Sequence, residues 1–94
     1  MNSLRSVTRF IELSGITVEY FEKMARIEPG TIEVAQQRET ELRNIEVLRI
    51  IARFGPALMN RGFSIIPLKD WPGEHNDYVI VENEINRIIF GEDE

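Results

Sequence analysis

His75 is the only histidine among 94 residues, and it stands in the run Glu74-His75-Asn76-Asp77 with Asp70 just upstream. Carboxylate oxygens and an imidazole nitrogen are metal-ligand types, but a metal site needs several of them held in a defined geometry. Counted from Asp70, this stretch departs from the EF-hand pattern: Pro72 stands where the second ligand belongs, and the glycine at position six is absent. The absence of cysteine excludes thiolate zinc sites, disulfides and a cysteine nucleophile. A serine nucleophile needs a neighbouring base and a suitable turn, whereas Ser3, Ser6, Ser14 and Ser64 fall in predicted helix or strand. Glu33, Glu39, Glu41 and Glu46 read as the solvent face of a helix and not as an acid–base pair. The six glycines are scattered and form no phosphate loop. No catalytic residue, cofactor site or metal site is assigned, and the chain is expected to act by binding.

Two groups of residues could bind. Trp71 lies in a turn-rich loop, Lys69 to Asp77, and tryptophan is enriched among interface anchors. With Asp70, Glu74, His75 and Asp77 around it, it makes a candidate protein-binding surface, unless it folds back to cover a sheet. The second group is a helix-turn-helix candidate: residues 18–27, the Glu28-Pro29-Gly30 turn, and residues 31–38. Such a unit offers its second helix to the DNA major groove. Gln36, Gln37 and Arg38 are competent base or phosphate readers, and Arg5, Arg9, Lys23 and Arg26 could meet phosphates.

Gly15 to Gln37 resembles the phage-repressor type of helix-turn-helix module, with Phe21, Ile27 and Ile32 at positions which that family buries. The resemblance covers about a quarter of the chain and implies DNA binding through residues 17–38. It departs from the family at Glu22, where a small residue, normally alanine, packs between the two helices. Ala25 and Ala35 are weak fillers of the other core positions, and Glu28 and Glu33 would face phosphates or bases.

The elements that would position these groups follow from spacing. Ser3 can cap a first helix carrying Leu4, Val7, Phe10, Ile11 and Leu13 on one face, with Gly15 at its end. Thr17 can cap a second, with Val18, Phe21, Met24 and Ala25 inward, ended by Pro29-Gly30. Residues 31–54 contain neither Gly nor Pro. At about 100° per residue, Ile32, Ala35 and Leu42 share one sector, while the apolar residues from Ile45 to Phe54 fill another. The phase change favours a break near Thr40, itself a good cap, with Ile45–Phe54 as the central core helix and Gly55-Pro56 as its stop. Ala57–Asn60 could add a further turn. Phe63 to Leu68 reads as a strand with Pro67 at an edge, and Tyr78 to Val81 as a second, β-branched strand; Phe63 and Tyr78 are expected in the core. Residues 83–90 fit a short helix slightly better than a third strand.

The expected fold class is α+β: three or four N-terminal helices, a small antiparallel β-hairpin, and a short C-terminal helix. One domain spans 1–94, with a helical part to residue 60, a β-containing part over 61–90 and an acidic tail over 91–94. The net charge of −5 is concentrated in residues 57–94. That disfavours DNA, whose affinity rests on Lys and Arg at phosphates. No apolar run reaches bilayer length, and the N-terminus lacks a signal-peptide pattern, so no membrane and a cytoplasmic location are expected. The leading expectation is an acidic, non-enzymatic regulatory or assembly-type protein-interaction module. Unpaired strand edges make it self-associating, a homo-oligomer. The alternative is a helix-turn-helix DNA-binding regulator.

Overall fold

The computed structural model describes residues 3–67, 78–84 and 86. Four helices precede a hairpin: α1 (Ser3–Ser14), α2 (Val18–Ala25), α3 (Thr31–Arg38), α4 (Asn44–Asn60), β1 (Phe63–Pro67) and β2 (Tyr78–Glu82). The α+β expectation holds. The short helix expected over 83–90 falls mostly outside the described residues, which include only 83, 84 and 86 of that stretch.

The core is built on phenylalanine. Phe10 of α1 meets Phe21 of α2, Phe54 of α4 and Phe63 of β1 edge-on, at 6.2, 5.8 and 5.9 Å. Phe21 and Phe54 stack at 4.7 Å. These rings join four elements through arrangements worth about 0.5–1.5 kcal/mol per pair beyond area burial. Val7, Val47, Ile50, Leu58 and Ile80 are fully buried around them.

Each helix start has its own acceptor. In α2 it is Thr17, whose hydroxyl receives the Tyr20 N–H at 3.0 Å, as expected. In α1 it is not Ser3 but the Glu41 carboxylate, which accepts from the Ser3 and Leu4 N–H groups at 3.1 and 3.0 Å. Ser3 is the first helical residue, buried, and its Oγ accepts from the N–H of Ile80 at 3.0 Å. Gly62 and Asn83 are bonded across the hairpin mouth. By the antiparallel alternation Ile80 then belongs to a pair whose N–H points away from β1. The hydroxyl of Ser3 therefore closes the outer edge of β2.

The chain breaks between α3 and α4 as the phase change foretold, but the cap is not Thr40. Glu39 adopts the left-handed conformation, φ 55°, that ends α3, and α4 starts only at Asn44. There the Glu46 carboxylate accepts the Arg43 N–H at 2.8 Å and the Arg43 side chain at 3.0 and 3.1 Å. Glu46, which is buried, and Glu41, which stays exposed, thus act as helix caps and not simply as the solvent face of a helix.

Three other expectations are corrected. Ile45 is 48% exposed and Ala52 is exposed, so α4 buries one stripe (Val47, Ile50, Phe54, Leu58) and not most of its circumference. Pro56 does not stop α4. Ala52, whose carbonyl loses its N–H partner there, is exposed together with Pro56; water can take that carbonyl, and continuing the helix buries Leu58 completely. Tyr78 is exposed, the last partner of Pro67 in the antiparallel register that runs from Phe63↔Glu82. Between α4 and β1 the backbone of Gly62 has φ +91°, and a Cβ there would lie 2.7 Å from the Asn86 side chain, so only glycine fits.

Candidate functional site

The unit α2–turn–α3 is assembled around Glu22. This side chain is 2% exposed, and its two carboxylate oxygens accept the Gly30 N–H at 3.0 Å and the Ile32 N–H at 2.9 Å. A carboxylate at a helix N-terminus satisfies donors that the helix cannot pair and complements the positive end of its dipole. The residue that looked like the main departure from a repressor-like pattern is thus the peg that fixes α3 to α2. Arg26 ends α2 in the left-handed conformation, φ 63°, so α2 stops at Ala25, before the Pro29-Gly30 pair expected to end it. Ile27, Ile32 and Ala35 are buried, as are Phe21 and Ala25.

The solvent side of α3 presents Glu33, Val34, Gln36, Gln37 and Arg38. Two of the candidate base readers are engaged: Gln37 donates to Glu33 at 3.3 Å and Gln36 to the Thr8 hydroxyl at 3.2 Å. Of the candidate phosphate contacts, Arg9 points its Nε to Glu82 at 3.3 Å and reaches Glu12 at 3.8 Å. Arg5 lies with it on α1, whereas Lys23 and Arg26 sit at the far end of α2. The seven residues are not gathered into one basic surface. Glu28, Glu33 and Glu39 stand exposed on and around α3, with Arg38 the only cation that the helix itself contributes.

A groove of about 690 Å³ runs beside this face, between α1 and α3 and up to β2. Its floor is Leu4 and Thr8, and Glu12, Glu39, Glu41 and Glu82 outnumber Arg5 and Arg9 around it. Glu41 is committed to the start of α1, and Glu82 accepts from both Arg9 and Asn86. Glu12, which Arg9 reaches at 3.8 Å, and Glu39 complete the acidic rim, and Glu12, Glu39 and Glu41 are all exposed. Sequence reasoning missed this groove because the α1–α3 contact is not visible in periodicity. It also passed over Arg49 and Arg53, although their i,i+4 spacing put them on one helix face.

The candidate protein-binding residues Asp70, Trp71, Glu74, His75 and Asp77 lie outside the described residues. Among the described residues no group of three or more His, Asp or Glu is placed to hold a metal ion, and no helix is long and apolar enough to cross a membrane. In comparisons with known proteins, no family model, no curated protein and no solved structure matches this chain.

Proposed function

We propose that the protein is a non-catalytic interaction module whose α1–α3 groove receives a basic segment of a protein partner or of a second copy of the chain. The observation that carries this is the charge of the exposed α3 side. Glu33 and Glu39 meet solvent there, where a DNA reader would hold cations, and Glu12 lines the groove from α1. A positively charged segment gains from such a rim in association rate and orientation. A cytoplasmic setting accords with a chain that holds no cysteine.

The test is a titration with a lysine-rich peptide, followed by amide chemical shifts. Shifts should localise to α1, α3 and residues 39–41, and Glu12→Gln with Glu39→Gln should weaken binding by several-fold. Shifts spread evenly over the surface would sink the proposal. Light scattering on the same samples reports self-association.

A second reading, DNA binding through α2 and α3, is favoured by one observation: Glu22 is accommodated between the helices as a cap, so the repressor-like spacing survives its odd residue. Duplex DNA titrated at two salt concentrations separates the readings. A DNA reader loses roughly one log unit of affinity per phosphate contact per log unit of salt, while no binding at low salt removes the alternative.

A further inference from the structure

A second cleft, of about 460 Å³, lies between α2 and α4 and is lined by Met24, Ala25, Arg26, Arg49, Ala52 and Arg53. It shares no residue with the α1–α3 groove. In a chain of net charge −5, three arginines are among the residues that line it, and among the described residues none of the three has a carboxylate within ion-pair distance. The acidic side chains buried on the same two helices are turned elsewhere: Glu22 to the start of α3 and Glu46 to Arg43. Like charges gathered without a counter-charge repel one another, and a bound anion relieves that repulsion.

Two of the three groups are held in place. Arg49 donates from one terminal nitrogen to the Arg26 carbonyl at 2.9 Å, and the other donors of its fork have no partner among the described residues. Arg53 lies over the Phe54 ring at 5.3 Å, with one nitrogen 3.6 Å from the Met24 sulfur. Arg26 occupies a left-handed cap position that favours glycine, and it is one of the residues that line the cleft.

We propose that this cleft is an anion-binding site for a small phosphate-bearing molecule. Planar guanidinium forks match phosphate oxygens two at a time, and three of them suit an anion with several terminal oxygens better than a single carboxylate. The apolar floor of Met24, Ala25 and Ala52 accepts a compact body attached to the phosphate. The plainer alternative is that Arg49 only closes the C-terminus of α2 by binding its last carbonyls. That role assigns nothing to Arg26 and Arg53.

The experiment follows the arginine Nε–H resonances of the full chain during addition of inorganic phosphate and then pyrophosphate, with chloride at matched ionic strength as control. Saturable shifts confined to Arg26, Arg49 and Arg53 are expected, with pyrophosphate tighter than phosphate. Arg26→Gln and Arg53→Gln should each weaken pyrophosphate binding by about tenfold, the loss of one charge-assisted contact. Arg61→Gln, outside the cleft, should leave binding unchanged. Because Arg49 also holds a backbone carbonyl, Arg49→Gln could unfold the α2 end. The other two variants carry the test, and Arg49→Lys should restore only part of the affinity. Shifts that match the chloride control, fail to saturate or spread to Arg5 and Arg38 overturn the proposal. Tighter binding of a glutamate-rich peptide than of pyrophosphate overturns the phosphate assignment.

Discussion

Glu22→Ala removes a carboxylate that two backbone donors depend on, and its effect can be worked from the geometry. Ile32 is 1% exposed, so its N–H would be left buried without an acceptor, at a cost of about 2 kcal/mol. Gly30 is half-buried and water can reach its N–H, so about 1 kcal/mol is assigned there. Losing the buried methylenes of the side chain adds about 1 kcal/mol, and release from desolvating the carboxylate returns a similar amount. The net expectation is a destabilisation of about 2–3 kcal/mol, or a fall of roughly 10–20 °C in midpoint for a domain of this size. Urea denaturation followed by circular dichroism measures it, with an unchanged slope showing that the two-state comparison is fair. The resemblance to repressor modules makes the opposite forecast, because alanine is the residue that family packs at this position. A change under about 0.5 kcal/mol, or a gain, would therefore refute the capping argument.

Four further outcomes are expected. Glu41→Ala should cost about 1–2 kcal/mol and speed hydrogen exchange at Leu4, since it strips the acceptor from the start of α1. Ser3→Ala should cost about 1–2 kcal/mol and raise exchange specifically at the Ile80 amide, whose N–H loses its buried acceptor. Gly62→Ala should destabilise by at least about 2 kcal/mol, because the new Cβ meets Asn86 and φ is unfavourable; Asn86→Ala in the same chain should recover the steric part. Pro56→Ala should raise the denaturation midpoint by about 1 kcal/mol equivalent, restoring the bond to the Ala52 carbonyl less the entropy that proline removes from the unfolded chain.

The helices and strands were legible because their signals are local. Thr17, Gly15 and the β-branched run at 78–81 act within a few residues of themselves, and the phase change between Leu42 and Ile45 exposed the break in what looked like one long helix. The misreadings share one cause. Glu22, Glu41 and Glu46 carry no mark that separates a cap from a solvated charge until the partner N–H is placed, and for Glu41 that partner lies 37 or 38 residues away. Pro56 failed as a stop because burial of Leu58 outweighs one lost backbone bond, a balance that requires the packed neighbour. The groove between α1 and α3 arises from a meeting of non-adjacent helices, and no pattern along the chain announces it. Arg49 and Arg53 were visible as a spaced pair, but only packing against α2 gives them Arg26 as a third.

The two anchors of α1 also bear on the order in which the chain folds. Its first turn depends on Glu41 and, through Ser3, on Ile80, which is 77 residues distant. Closing loops of that length must precede the reward, so the opening turn of α1 should be consolidated late. The α2–α3 pair differs: Thr17 and Glu22 both lie inside the segment they cap. A peptide covering residues 16–40 keeps the acceptors at both helix starts and the backbone bonds that end α2 and α3, giving up the Arg49 bond to the Arg26 carbonyl, whereas one covering α1 alone keeps neither of its anchors. Nucleation in the chain therefore belongs to the pair pegged by Glu22, with the N-terminal helix acting as the latch that closes last.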